Sequence, residues 1–162
     1  MAQKDFLVSR TSQVHQIREY LGPRNAVTVT PETKAVDAVI QFCQHPDINT
    51  LAVVDEDTKL LVILEIGHLI DDLLADVLPE GYMRSSINRD KMMEASFFLT
   101  VHETVEEMMT EPVAITYAYT AEEAFLVLHS NQLRGVPILD ENDCVVSYLG
   151  LLEFLTLWMP EK

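Results

Sequence analysis

Apolar and polar positions fall in blocks along this chain, and the blocks predict short strands and helices. Residues 51–54 and 60–64 are apolar and flank an acidic turn at residues 55–57. Two apolar runs around such a turn predict a β-hairpin, and their continuous apolarity predicts strands that are covered on both faces. Residues 27–30 predict a short strand ahead of the hairpin, and residues 35–44 predict a helix between them. The apolar face of that helix is expected to consist of Val36, Val39, Ile40 and Cys43.

The same order of blocks occurs a second time, which indicates an internal repeat. Residues 112–116 match the first strand, residues 121–126 match the helix, and residues 136–142 and 144–149 match the hairpin. The match extends over about 45 residues with one single-residue gap in a loop. The two halves are therefore predicted to share one architecture.

Each half is predicted to run strand, helix, strand, strand, helix, with its last helix at residues 67–74 or 151–158. A unit of roughly 50 residues buries too little surface to be stable alone, so the two halves are expected to pack together. The expected fold is α+β (α/β), with two repeats related by pseudo-two-fold symmetry and related clefts between them.

Two segments lie outside the repeats. Residues 11–21 predict an amphipathic helix that Thr11 or Ser12 caps and that Gly22 ends. A long connector follows the first repeat, and its part at residues 91–109 has helical spacing of apolar positions. The predicted divisions are an N-terminal helix at 1–23, a first repeat at 24–74, a connector at 75–107 and a second repeat at 108–162.

Charge and length exclude several classes of partner. The chain has 26 acidic and 11 basic residues among 162, a formal net charge of −15. Nucleic-acid binding needs a basic surface, and an anionic membrane would repel this chain, so neither partner is expected. The apolar runs are too short to span a bilayer, and the first residues lack the apolar core of a signal peptide. A cytoplasmic location is expected.

The sequence offers no constellation that would carry catalysis. Cys43 and Cys144 lie in apolar segments without metal or disulfide spacing, and both are expected to be small buried hydrophobes. The five histidines are scattered without metal-ligand spacing. Neither a nucleophile with its base nor a pair of catalytic carboxylates can be assigned. We therefore expect neither an enzyme nor a metal site, and no required cofactor.

Specific residues in both halves resemble CBS (cystathionine-β-synthase) repeats. Residues 108–113 read Met-Met-Thr-Glu-Pro-Val, and residues 133–140 read Leu-Arg-Gly-Val-Pro-Ile-Leu-Asp. Both phrases are typical of the family, as are the hairpin turns at Asp55 and Asp140. The resemblance covers nearly all of residues 24–158. The chain is similar to a stand-alone tandem CBS pair, also called a Bateman module.

This resemblance implies a function. In the family, clefts between repeats bind adenosine-containing ligands such as AMP, ADP, ATP or S-adenosylmethionine. Two modules usually associate into a four-repeat disc, which here implies a homodimer, and ligand occupancy regulates an attached or separate protein. The leading expectation is a non-enzymatic regulatory module that signals to an unknown effector protein. The alternative is a dimeric interaction or scaffold module that has lost nucleotide binding.

The family's binding signature lies where the last strand meets the last helix. It carries a glycine, a hydroxyl residue for phosphate, and an Asp or Asn that accepts hydrogen bonds from the ribose hydroxyls. Val62, Glu65 and His68 take those places in the first repeat, and all three depart from the signature. Glu65 and His68 are either a helix-capping acid and a surface histidine, or a ligand-contacting or metal-binding pair.

In the second repeat the signature positions are Ser147, Gly150 and Glu153, of which Glu153 keeps a carboxylate that is one methylene longer. Gly150 opens backbone N–H groups to an anion, and Arg134 lies near the expected mouth. The second cleft is therefore the preferred ligand site. Its expected residues are Ala114, Ile115, Arg134, Gly135, Val136, Pro137, Gly150 and Glu153. Those of the doubtful first cleft are Val29, Asn49, Thr50, Leu51, Ala52, Glu65 and His68.

Overall fold

A computed structural model describes residues 8–69, 104–108 and 111–158 of the chain. Its helices are α1 (Val14–Leu21), α2 (Ala35–Gln44), α3 (Ala121–Ser130) and α4 (Leu151–Thr156), and a 3₁₀ helix covers Val105–Met108. Its strands are β1 (Thr28–Val29), β2 (Thr50–Val54), β3 (Leu60–Glu65), β4 (Ile115–Thr116), β5 (Gly135–Leu139) and β6 (Val145–Gly150). Residues 66–69 are also helical and begin the last helix of the first half.

The strands form two three-stranded sheets with the same topology, β1-β2-β3 and β4-β5-β6. In each sheet the first pair is parallel and the hairpin pair is antiparallel. The register shifts at matching points, between Val53 and Val54 and between Ile138 and Leu139. The predicted order of strand, helix, strand, strand, helix is confirmed in both halves.

The segment that precedes each repeat packs on the other repeat. The Val14 N–H donates to the Tyr119 carbonyl at 2.8 Å, and the Val105 N–H donates to the Thr33 carbonyl at 2.8 Å. Val14 and Ile17 are buried in the core of the second half, whereas Val105 is buried in the core of the first. The N-terminal helix α1 is therefore part of the second repeat's packing, although it precedes the first repeat in sequence.

The two cores also exchange residues at the seam between the sheets. Tyr148 of β6 is fully buried in the core of the first half, and Ile63 of β3 is buried in the core of the second. Strands β2 and β5 are in contact across this seam, where the Thr50 Oγ1 donates to the Gly135 carbonyl at 2.8 Å. Burial of apolar surface is the main favourable contribution to folding. Since each half supplies a side chain to the other's core, this contribution is shared between the two halves.

The predicted face of α2 is correct for Val39, which packs partly buried against the first core, but wrong for Ile40 and Cys43. Ala35, Ala38 and Phe42 point into the core, while Ile40 is 44% exposed and Cys43 is exposed. The fully buried positions of the helix are the small Ala35 and Ala38, and Phe42 is the large residue beside them in the core, while Ile40 turns outward. The expectation that Cys43 is buried is corrected with it, and Cys144 is only half-buried.

The N-terminal helix begins later than predicted. Its first-turn cap is Gln13, whose N–H donates to the Gln16 Oε1 at 3.0 Å, rather than Thr11 or Ser12. The Ser12 hydroxyl instead accepts from the Ser9 N–H at 3.0 Å, upstream of the helix. The predicted end at Gly22, whose φ is +89°, is as expected for a glycine C-cap. Of the connector helix predicted at 91–109, Val105–Met108 form a 3₁₀ helix and the rest, apart from residue 104, lies outside the described residues. The part of the last helix of the first half after residue 69 also lies outside them.

Candidate functional site

Glu153 lies at the junction between β6 and α4 in the second half. Strand β6 ends at Gly150, which is the N-cap of α4, and Glu153 is the third residue of that helix. Its side chain turns back so that Oε2 lies 3.4 Å from the Gly150 N–H. A carboxylate in the first turn of a helix is stabilised by the orphan N–H groups and by the helix dipole.

Both oxygens of the Glu153 carboxylate are bound by arginines. The Arg18 Nη2 donates to Oε1 at 2.5 Å, and the Arg18 Nη1 donates to Oε2 at 3.0 Å. The Arg24 Nη1 lies 3.4 Å from Oε2. Bidentate guanidinium–carboxylate pairs are among the strongest hydrogen-bonded pairs in proteins, so this carboxylate is held in one orientation.

Arg18 reaches this position from α1. It is only 6% exposed, and its Nε donates to the Gly22 carbonyl at 2.7 Å while Nη1 also donates to the Tyr148 carbonyl at 2.9 Å. A charge that is this deeply buried must be paired and hydrogen-bonded, and Glu153 supplies the pairing charge. The guanidinium therefore ties the end of α1 to the start of α4.

Arg24 follows α1 and lies closer to solvent, with 21% of its side chain exposed. Its guanidinium is 5.6 Å from the centre of the Tyr148 ring, and Nη2 forms an ion pair with Asp47. The Ser147 Oγ donates to its backbone carbonyl at 2.7 Å. Arg24 is thus the more accessible of the two cations beside Glu153.

The surroundings keep Glu153 ionised. Partial burial raises the pKa of Glu153, but the hydrogen bond and charge of Arg18, the charge of Arg24 and the Gly150 N–H together hold that pKa below its ordinary value of 4.5. A neighbouring cation favours the charged form of a carboxyl group, and here two are present. Glu153 is therefore an acceptor of hydrogen bonds at neutral pH.

A groove of about 590 Å³ opens beside Arg18, lined by His15, Arg18, Glu19, Gly22, Pro23 and Tyr117. Glu153 is not among these lining residues. Arg18 is thus both a lining residue of this groove and the bidentate partner of Glu153.

Comparison with known proteins shows which chains this arrangement is similar to. The family model described as the CBS domain matches residues 103–157, which contain the second half. A CBS domain-containing protein from Thermotoga maritima is similar in structure, with a TM-score of 0.71 and 22% identity over 95% of this chain and 100% of that one. The chain folds as a CBS-domain pair. Comparison with curated proteins found no match.

Two further CBS-domain pairs have solved structures with adenosine compounds. The CBS domain pair of protein MJ0100 was solved in complex with 5′-methylthioadenosine and S-adenosyl-L-methionine, and it aligns with a TM-score of 0.65 and 19% identity over 91% of this chain and 96% of that chain. CBSX2 from Arabidopsis thaliana aligns with a TM-score of 0.68 and 17% identity over 90% of this chain and 92% of that chain. CBSX2 was also solved in complex with AMP. The family resemblance drawn from the sequence is confirmed.

The residues predicted for the second cleft of this CBS-domain pair lie in three places. Gly150 and Glu153 are together at the strand–helix junction, and Gly135 is the register partner of Gly150. Ile115 and Val136 are buried in the core of the second half, at 1% and 0% exposure. Pro137 is buried and Ala114 is half-buried.

Arg134 occupies the third place. It is exposed and lines a separate apolar groove of about 350 Å³ with Phe125, His129 and other residues of the α3 side. Its carbonyl accepts from the Leu151 N–H at 2.8 Å, which fixes the backbone beside α4. The side chain is not a lining residue of the groove beside Arg18.

In the first cleft, Glu65 acts as a helix cap. It is 6% exposed, and its Oε2 accepts from the Gly67 N–H at 2.5 Å and the His68 N–H at 3.2 Å. The His68 side chain is exposed. Of the two interpretations of this pair, the geometry favours the capping acid and surface histidine. The remaining predicted residues are Val29, Thr50, Leu51 and Ala52, which are buried, and Asn49, which is half-buried.

Sequence reasoning missed three residues of the second site: Arg18, Arg24 and Tyr148. Tyr148 is fully buried, and its hydroxyl accepts from the Asn49 N–H at 3.1 Å. Burial raises the pKa of this tyrosine above its ordinary value of 10.0. A weak signal for Arg18 was present, since a basic residue in the last turn can donate to the final carbonyls of a helix. Its pairing with Glu153, 135 positions away, had no local signal.

Proposed function

We propose that the chain is a non-enzymatic regulatory module that binds an adenosine-containing ligand at the second cleft, with Glu153 as the acceptor for the ribose hydroxyls. The observation that carries this proposal is an ionised carboxylate held at the strand–helix junction of the second half. The complexes of the MJ0100 pair with methylthioadenosine and S-adenosylmethionine, and of CBSX2 with AMP, support the ligand class.

The chemistry of the site suits such a ligand. A carboxylate has two oxygens, and a ribose offers two neighbouring hydroxyl donors, so the two groups match in number and spacing. Arg24 supplies a partly exposed cation beside Glu153 that favours a ligand with phosphate groups. AMP, ADP, ATP and S-adenosylmethionine all present an adenosine, and the phosphate compounds would gain the additional contact.

Regulation requires that the ligand binds two states of the module with unequal affinity. We propose that the ligand-bound state presents a different surface to a separate effector protein.

A second candidate function is favoured by one observation. Both Glu153 oxygens are occupied by arginines, and the first cleft carries a capping glutamate and an exposed histidine at its signature positions. A module with both clefts closed in this way would act as a dimeric interaction or scaffold module without nucleotide.

Either function includes a homodimer, which we propose to form through the outer helix faces. Large apolar side chains are exposed there, with Ile40 on α2 at 44%, Leu126 on α3 at 54% and Leu152 on α4 at 79%. Ile40 and Leu126 hold matching positions in the two repeats, so a second copy would bury both together. Analytical ultracentrifugation should give a dimer at micromolar concentration, and Leu126→Lys with Leu152→Lys should shift it to a monomer. A wild-type monomer would contradict the dimer.

A thermal-shift series separates the two candidate functions. Ligands that bind the native state raise the melting temperature when their concentration exceeds the dissociation constant. AMP, ADP, ATP and S-adenosylmethionine should each be tested against wild type, Glu153→Gln and His68→Ala, with each variant compared with its own ligand-free melting temperature. We expect a shift in wild type and His68→Ala and a much smaller one in Glu153→Gln. No shift with any compound at millimolar concentration would favour the scaffold function.

A further inference from the structure

Helix α1 is docked on the second repeat by a small set of contacts. The His15 N–H donates to the Tyr117 carbonyl at 3.1 Å, and Val14 and Ile17 are fully buried against the second half. Arg18 adds a charged contact with Glu153, with side chains 7% and 17% exposed, and a buried hydrogen bond to the Tyr148 carbonyl at 2.9 Å. The helix has only eight residues, too few to be stable in water without its docking contacts.

The same guanidinium that anchors α1 also covers the carboxylate that the proposed function needs. Arg18 donates from Nη1 to one Glu153 oxygen and from Nη2 to the other. A ribose whose two hydroxyls each donated to one of these oxygens would need the positions that the guanidinium occupies. Arg18 also lines the neighbouring groove. A ligand in this groove can thus contact Arg18, whereas Glu153 is not among the groove's lining residues.

We infer that Arg18 is a latch: α1 docking and ribose binding at Glu153 exclude each other, so the N-terminal helix gates the second cleft. This inference rests on the proposed function, because it assigns Glu153 to the ribose. The closed state holds Glu153 with Arg18, and the open state frees both oxygens while Arg24 remains beside them. Ligand binding is thereby coupled to release of α1, which is a change of surface that an effector protein can detect.

The latch has a quantitative consequence for affinity. When only a fraction of molecules has an open cleft, the apparent dissociation constant is the intrinsic one divided by that fraction. Removing the Arg18 guanidinium should therefore tighten ligand binding, although it deletes a cation beside a site for anionic ligands. An arginine that merely attracted phosphate would have the opposite effect, so the sign of the change decides between the two roles.

The test compares Arg18→Met with a matched control on the same segment. Arg18→Met keeps the length and apolar stem of the side chain and removes its charge. The control is Arg10→Met, because Arg10 lies 3.9 Å from Glu122 with both side chains largely exposed, at 83% and 55%. Isothermal titration with AMP and with S-adenosylmethionine should give about tenfold tighter binding to Arg18→Met if the latch is closed in most wild-type molecules. Arg10→Met should bind as wild type does.

Hydrogen exchange of the α1 amides gives a second reading that needs no variant. Saturating AMP should increase exchange in residues 14–21 of the wild-type chain, while exchange in α3 stays the same or falls. This measurement keeps the inference testable if Arg18→Met fails to fold.

The outcomes distinguish the latch from the function on which it rests. Equal or weaker binding by Arg18→Met, or greater protection of α1 when ligand binds, would overturn the latch and leave adenosine binding intact. No binding by wild type, Arg18→Met or Arg10→Met would overturn the proposed function, and with it any gate for that ligand.

Discussion

Gly135 lies beside the buried Tyr148 ring, and adding one methyl group there should destabilise the chain. A Cβ at this position would lie 3.0 Å from Tyr148 Cε1 and would overlap the hydroxyl oxygen and the ring carbon that carries it. The ring is 0% exposed and sits in the core of the first half, so it has no open space into which to move. Gly135 is not at a positive φ, and the backbone itself therefore accepts alanine.

The expected magnitude follows from the contacts that would be lost. Overpacking a filled core costs about 1–3 kcal/mol. Displacing Tyr148 also breaks its hydrogen bond with the Asn49 N–H, which is worth about 1 kcal/mol. We therefore expect Gly135→Ala to lower the free energy of unfolding by about 2–4 kcal/mol. Urea denaturation followed by far-ultraviolet circular dichroism, at one protein concentration, measures this value.

Two comparisons show whether Tyr148 is the cause. Gly150→Ala is the matched control, because a Cβ there would have its nearest neighbour at an ordinary 3.6 Å, and it should cost about 1 kcal/mol or less as an N-cap change. Tyr148→Ile introduces the residue that the first repeat has at the matching position, Ile63. In the Tyr148→Ile background, Gly135→Ala should lower the free energy of unfolding by less than about 0.5 kcal/mol. The difference from its cost in wild type would show that the two positions are strongly coupled. Equal costs in both backgrounds would refute the reasoning.

Three other predictions concern titration and reactivity. Because the folded-state pKa of Glu153 is depressed, its stabilisation is present above the ordinary carboxyl value of 4.5 and is lost as pH falls through the lower folded-state pKa. The difference in unfolding free energy between wild type and Glu153→Gln should shrink over that range in urea titrations, and a constant difference would contradict the ion pair. Burial raises the pKa of Tyr148, so one of the five tyrosines should ionise at higher pH than the others in an ultraviolet titration. Tyr148→Phe should remove that late step, and five coincident ionisations would count against the burial. Cys43 is exposed, whereas Cys144 is half-buried with its Sγ 3.5 Å from the Asp57 carbonyl oxygen. Cys43→Ser should therefore remove the fast phase of thiol labelling by Ellman's reagent, and persistence of that phase would contradict the structure.

The repeat architecture could be predicted because its signals are local. Apolar runs, acidic turns and their second occurrence lie within short windows, and the hairpins at Asp55 and Asp140 formed as expected. Part of the face of α2 was mispredicted because alanine was treated as indifferent, whereas Ala35 and Ala38 are fully buried. Periodicity counts large apolar residues, but packing also depends on where small residues allow a close approach.

The site was predictable only in part. The position of Glu153 follows from the order of strand and helix, and its retained carboxylate was visible in the sequence. Its partners were not visible, because Arg18 comes from a helix that precedes the first repeat and docks on the second. Helical periodicity predicted α1 but carried no information about which repeat it would cover. The exchange of preceding segments between repeats is a property of the whole fold.

The central claim is an asymmetric pair, in which the second cleft binds an adenosine-containing ligand and the first cleft does not. The stoichiometry of AMP binding, measured by isothermal titration calorimetry, tests this claim most directly. The account predicts one AMP for each chain, with binding lost in Glu153→Gln and unchanged in His68→Ala. Two AMP molecules for each chain, or binding that His68→Ala removes and Glu153→Gln retains, would contradict it.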